Sequence, residues 1–139
     1  MTEKNQYAVD VVRVAPTHYR ATNAAGASIE FGKGEGLLNP VELLLAAVAG
    51  CSSIDVDVVT SRRAEPETFL VHAEGSSVAE DGASRLSDVH LNFHISFSES
   101  KEGQTAQSMV ERLVQLSHDK NCTVSRTVEL PTNVDFTVE

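Results

Sequence analysis

From Pro40 to about Arg63 the chain reads PVELLLAAVAGCSSIDVDVVTSRR, with no helix breaker except Gly50 until Pro66 stops it. The start is well marked: Asn39 suits an N-cap, Pro40 the first helical position, and Glu42 puts an acid in the first turn. At 1.5 Å per residue this helix is roughly 36 Å long. A compact domain of 139 residues has a radius of gyration of about 14 Å, so the helix runs about the full width of the protein. Its middle, Leu43 to Cys51, is apolar on every face and lacks the periodicity of a half-exposed helix. Burial all round follows, and Ala46, Ala47, Ala49 and Gly50 let another backbone approach closely. One small domain can hardly enclose such a helix, which predicts that a second copy of the chain covers part of it. The alternative is a central helix covered by its own sheet.

The flanking segments predict an α+β protein in a single domain, residues 1–139. Tyr7 to Ala15, His18 to Asn23 and Ala27 to Phe31 are short β-rich runs separated by Pro16 and by Ala25-Gly26, which suggests an N-terminal antiparallel meander. Gly32-Lys-Gly-Glu-Gly36 is a loop without the ending of a phosphate-binding motif. Past Pro66, Phe69 to Ala79 and Ser87 to Phe97 form a hairpin turning at Asp81-Gly82. Its second strand alternates, with Val89, Leu91, Phe93, Ile95 and Phe97 on one face and His90, Asn92, His94 and Ser96 on the other. A second helix, about Gln104 to Asp119, carries Met109, Val110, Leu113, Val114 and Leu116 on its apolar side. Val134 to Val138 completes the pattern as a terminal strand.

Charge removes several functions. With 11 Lys and Arg against 20 Asp and Glu, the net charge is −9, which repels nucleic acid and anionic bilayers alike. The N-terminal residues lack a basic segment followed by an apolar one, and no run of 18 apolar residues occurs. A cytoplasmic location is therefore expected, with no membrane partner and with Cys51 and Cys122 reduced at rest.

Few constellations can carry chemistry. His90 and His94 share a strand face with His72 nearby, but four residues along a strand is about 13 Å, too far for one ion. No metal or cofactor is expected. His118 falls on the last turn of the second helix, as a cap or as an aid to Cys122. Ser52 and Ser53 lie inside a helix without a GxSxG turn, and Walker, Rossmann, zincin and CxxC motifs are absent. The cysteines remain, either as inert packing or as reactive thiols. Cys51 lies too far from the helix N-terminus to feel its charge, and Asp55 one turn on disfavours a thiolate. A reactive Cys51 needs a cation from elsewhere: Arg20, close to a turn of the meander, is the candidate, and Arg13 the reserve.

The run Asn39-Pro-Val-Glu-Leu-Leu-Leu-Ala-Ala-Val-Ala-Gly-Cys51, with Cys122-Thr-Val-Ser125 after an amphipathic helix, resembles the OsmC/Ohr family of thiol-dependent hydroperoxide reductases. The resemblance covers nearly the whole chain. It implies an intertwined homodimer whose central helices are wrapped by two sheets, in keeping with the all-round apolar helix. It also implies that Cys51 attacks an organic hydroperoxide and becomes a sulfenic acid. Cys122 then resolves that acid as a disulfide, which a dithiol recycles, in the Ohr branch a lipoylated protein. One position departs: the family's reductases carry a Glu directly after the Asn-Pro pair, ion-paired with an Arg of the N-terminal strands, and here it is Val41. Glu42, one residue on, is turned by about 100° around the helix and is no safe replacement. The alternative on the same fold is a protein that binds a small apolar ligand, or a thiol protein without peroxidase activity.

Overall fold

The computed structural model describes residues 5–139. The chain divides into two compact units, one ending at Leu44 and the other running from Leu45 to Glu139.

The first unit is an antiparallel meander of β1 (Val9–Ala15), β2 (His18–Asn23) and β3 (Ser28–Gly32), in the order β1-β2-β3. Two turns set its register. After Pro16, Thr17 takes φ 58°, its carbonyl accepts the Lys33 N–H at 2.8 Å and its hydroxyl donates to the Lys33 carbonyl at 3.1 Å. Gly32 passes so close that a Cβ there would lie 2.0 Å from the Thr17 carbonyl oxygen. At the other end the Asn23 side chain accepts from the N–H groups of Ala25 and Ala27, each at 3.0 Å, an Asx arrangement that replaces ladder bonds with local ones. Tyr19 faces Phe31 across β2 and β3, their ring centroids 5.9 Å apart.

Helix α1 (Pro40–Thr60) starts in the first unit and runs into the second. Its start is a reciprocal box: the Glu42 N–H donates to Asn39 Oδ1 and the Asn39 N–H donates to Glu42 Oε1, both at 2.9 Å. Val48, Ser52, Val56 and Thr60, four residues apart, form its buried stripe. Fully burying Val56 contributes about 1.5–3 kcal/mol. Leu44, Ile54 and Val58 stay exposed within the single chain. The expectation of burial on every side is thus not met by one chain.

In the second unit β4 (Thr68–Glu80) and β5 (Ala83–Ser96) form the expected hairpin, longer at the turn than the alternation indicated. Asp81 and Gly82, with φ 51° and 78°, make the tight reversal, as the right-handed strand twist demands. A bulge pairs Ser76 with Asp88 but Ser77 with Leu86, so Leu86 and Val89 both turn inward despite their odd spacing. Beyond it the alternation holds: Val89, Leu91, Phe93 and Ile95 are half-buried and His90, Asn92 and His94 exposed. Helix α2 (Lys101–Leu116) is capped by Ser100, whose Oγ accepts the Gly103 N–H at 3.1 Å. Gln107 fixes α2 to the hairpin: its Oε1 accepts the Phe97 N–H and its amide donates to the Ile95 carbonyl, both at 3.1 Å.

Two C-terminal expectations are corrected. A π-helical turn (Ser117–Asn121) follows α2 and closes where the Cys122 N–H meets the Ser117 carbonyl at 2.9 Å. A third helix, α3 (Thr123–Glu129), then occupies a β-branched stretch. Helix survives there because Cys122 caps it and Thr127 Oγ1 donates to the Thr123 carbonyl at 2.8 Å. The strand expected at Val134 to Val138 does not form, since a strand exists by its ladder and no described strand pairs with these residues. Val134, Phe136 and Val138 are 86% exposed or more.

Candidate active site

Helix α1 and the start of α3 bring the two cysteines together in the second unit. Both are free thiols, near enough for each to act on the acidity of the other. Their settings differ. Cys51 is half-buried on α1, whereas Cys122 is 0% exposed. The Ser125 N–H donates to the Cys122 sulfur at 3.4 Å, and the side chains of Ser125, Cys51 and Ser52 are neighbours that act on its acidity. Ser52 belongs to the buried stripe of α1 and Ser125 to the first turn of α3, and both are buried.

These surroundings drive the two thiols apart in acidity. Burial pushes the Cys51 thiol up, the Val124 N–H offsets part of that, and the Cys122 sulfur and the Asp55 carboxylate add to the rise. Burial acts in the same sense on Cys122 but is outweighed by the Ser125 hydroxyl and N–H, the Cys51 thiol and the Ser52 hydroxyl, so Cys122 lies below the ordinary thiol value. Asp55 is itself held by Ser117, whose hydroxyl donates to its Oδ2 at 2.6 Å. Of the two thiols, Cys122 is thus the more acidic and Cys51 the less acidic.

Arg20, the expected activating cation, lies on β2 in the first unit. It stands opposite Glu30 in the β2–β3 register, with its Nη2 3.6 Å from Glu30 Oε2, while His18 Nε2 is 2.6 Å from Glu30 Oε1. Arg13, the reserve, is on β1 opposite Tyr19. The groups acting on Cys51 all come from the second unit. Glu42 is engaged in the helix cap, which gives it a structural role. His118 lies in the π turn that follows α2, its Nδ1 3.9 Å from Glu129 Oε1. Among the described residues no group of His, Cys, Asp and Glu is arranged to hold a metal ion.

Sequence reasoning passed over Ser52 and Ser125 as partners of the cysteines. The signal was present in both: Ser52 adjoins Cys51 on a helix otherwise apolar there, and Ser125 closes the Cys122-Thr-Val-Ser125 element.

The comparisons agree with this architecture. Protein YhfA of Escherichia coli K12 is 28% identical over 107 residues, 76% of this chain and 75% of its own. A hypothetical protein from Aquifex aeolicus superposes with a TM-score of 0.72 at 20% identity, covering 91% of this chain and 89% of that one. An organic hydroperoxide resistance protein of Legionella pneumophila gives 0.59 at 19% identity, with 91% of each chain covered. The profile of the family described as OsmC-like protein matches residues 32–137, and the chain therefore belongs to the OsmC-like family and has its α+β fold.

Proposed function

We propose that the protein reduces organic hydroperoxides through the Cys51 and Cys122 pair. The observation that carries this reading is the meeting of two free thiols, one half-buried and one fully buried, in a chain of the OsmC-like family. Cys51, the more accessible sulfur, attacks the terminal peroxide oxygen; the O–O bond breaks, the alcohol leaves, and Cys51 becomes a sulfenic acid. Cys122 attacks that sulfur and expels its oxygen, giving an internal disulfide before further oxidation can occur. An external dithiol returns both cysteines to the reduced state.

The functional unit in this reading is a homodimer. Leu44, Ile54 and Val58 leave an exposed apolar stripe on α1, with Cys51 between them. Length and composition would let α1 cross a bilayer, but Asp55 and Asp57 lie within it and are costly in hydrocarbon. A second copy of the chain is the cover we propose.

The test is to treat the reduced protein with one equivalent of cumene hydroperoxide, count free thiols and map disulfides by mass spectrometry. A Cys51 to Cys122 disulfide is expected, with turnover abolished in Cys51→Ser. An unchanged thiol count after peroxide would refute the assignment.

A further inference from the structure

Ser117, fully buried, joins three parts of the second unit. Its N–H donates back into α2 at Leu113 and Val114, its carbonyl accepts the Cys122 N–H at 2.9 Å, and its hydroxyl donates to Asp55 Oδ2 at 2.6 Å. Other hydroxyls in the helices behave differently: Ser53, Thr60 and Thr127 each donate to the carbonyl four residues back on their own helix. The Ser117 hydroxyl reaches across to α1 instead, and among the described residues it makes the one hydrogen bond found between α1 and residues 117–139. Asp55 stands one turn beyond Cys51 on the same side of α1. Cys51 and Cys122 are therefore linked through one helical turn, one side-chain bond and one backbone bond, and Ser117 makes both bonds. A carboxylate this close to a thiol that must ionise works against the ionisation, and its bond to Ser117 gives Asp55 a second, favourable effect on the pair.

We propose that Ser117 is the positioning residue for disulfide closure: its hydroxyl, bonded to Asp55, holds Cys122 where it can attack the oxidised Cys51. This rests on the hydroperoxide reading above and concerns its second step. There the Cys122 sulfur supplies an electron pair to the Cys51 sulfur, the sulfur–sulfur bond forms and the sulfur–oxygen bond of the sulfenic acid breaks. The oxygen leaves with its own hydrogen and the proton of Cys122 as water, so one sulfenic acid and one thiol become one disulfide and one water. A disulfide needs its Cβ atoms about 3.5–4.5 Å apart and a narrow range of torsion, and a misplacement of about 1 Å can slow a reaction by about 10²-fold. The first step needs only Cys51 and the peroxide. Loss of the Ser117 hydroxyl therefore falls on closure, because the segment carrying Cys122 is no longer tied to the helix carrying Cys51.

The experiment separates the two steps. Reduced wild type and Ser117→Ala are treated with one equivalent of cumene hydroperoxide while dimedone competes for the sulfenic acid, and mass spectrometry follows the Cys51 adduct and the disulfide with time. In Ser117→Ala closure should slow by about 10²-fold, with the dimedone adduct of Cys51 replacing most of the disulfide, whereas the first oxidation of Cys51 should change far less. Asp55→Ala breaks the same bond from the other side and should give the same pattern, and the double variant should close no more slowly than either single one. Asp55→Asn, which keeps an acceptor oxygen for Ser117, should close near the wild-type rate. Closure at the wild-type rate in Ser117→Ala would overturn the proposal, as would equal slowing of both steps, the mark of a general loss of packing, and either result leaves the hydroperoxide reading standing. A wild-type protein inert to peroxide would instead sink that reading and this role with it. Should Ser117→Ala fail to fold, the comparison of Asp55→Ala with Asp55→Asn decides, and equal closure rates in those two would refute the role.

Discussion

Replacing Asp55 by Asn removes one negative charge a turn away from Cys51 and leaves the helix otherwise intact. Residues four apart on a helix have Cβ atoms about 5–6 Å apart. Taking about 6 Å between carboxylate and sulfur, the repulsion of a Cys51 thiolate is about 0.7 kcal/mol at the dielectric constant of water and about 2.8 kcal/mol at an effective value of 20. Cys51 is half-buried, so a middle figure of about 1.4 kcal/mol applies, which is one unit of acidity or a tenfold change in thiolate fraction. Asp55 raises the Cys51 thiol, and Asp55→Asn should therefore increase thiolate at neutral pH. The assay is iodoacetamide alkylation of Cys51 followed by mass spectrometry across pH, in which the rate should rise about tenfold below the Cys51 transition. The carboxamide oxygen introduced by Asp55→Asn can still accept the Ser117 hydroxyl, now as a neutral bond, so stability should fall by only about 1 kcal/mol. A rate that stays constant or falls would show that Asp55 does not set the acidity of Cys51, and the electrostatic account of the pair would be wrong.

Three further outcomes are expected. Ile54→Asp, at a site 64% exposed in the single chain, should shift sedimentation from dimer to monomer, and a wild-type chain already monomeric at micromolar concentration would remove the basis for a covered α1. Asn39→Ala should lower the unfolding free energy by about 1 kcal/mol through loss of the α1 cap, read from urea midpoints. As pH rises from the lowered value of Cys122 toward the free-thiol value near 8.5, the native state has released a proton that the unfolded chain still binds, so stability increases. Above that, native Cys51 keeps a proton that the unfolded chain has lost, and stability declines. The difference between wild type and Cys122→Ser in urea titrations at several pH values should show the rising arm only in the wild type.

Much of the fold was legible because local chemistry and long-range packing point the same way. Asn39, Pro40 and Glu42 announced a helix start that the structure realises as a reciprocal cap, and Asp81-Gly82 announced the hairpin turn. The inward face of β5 was readable from alternation, whereas its bulge was not, since one inserted residue leaves no compositional trace. Helix α3 was hidden by Thr123, Val124, Thr127 and Val128, whose β-branched side chains read against helix. Its cap is a cysteine, a residue that sequence reasoning reserves for other roles. For the site, the meeting of Cys51 and Cys122 was foreseen from family resemblance. The difference in acidity between them was only partly legible: Asp55 is readable from its spacing, whereas Ser52 and Ser125 come near Cys122 only through packing. Arg20 sits near a turn in the sequence, and the structure gives its guanidinium a cross-strand carboxylate, Glu30.

The π turn at Ser117–Asn121 makes the cysteine pair sensitive to chain length rather than to side-chain identity. Its closing bond spans from Cys122 to Ser117, one residue more than an α-helical turn encloses, and Ser117 also holds Asp55. Deleting any one residue between Ser117 and Cys122 would turn the following backbone by about 100° and withdraw it by about 1.5 Å, taking Cys122 away from Cys51 while every residue that touches either sulfur is retained. Insertions and deletions in this short segment should thus be tolerated far less than substitutions, and related chains that keep both cysteines are expected to keep the number of residues here.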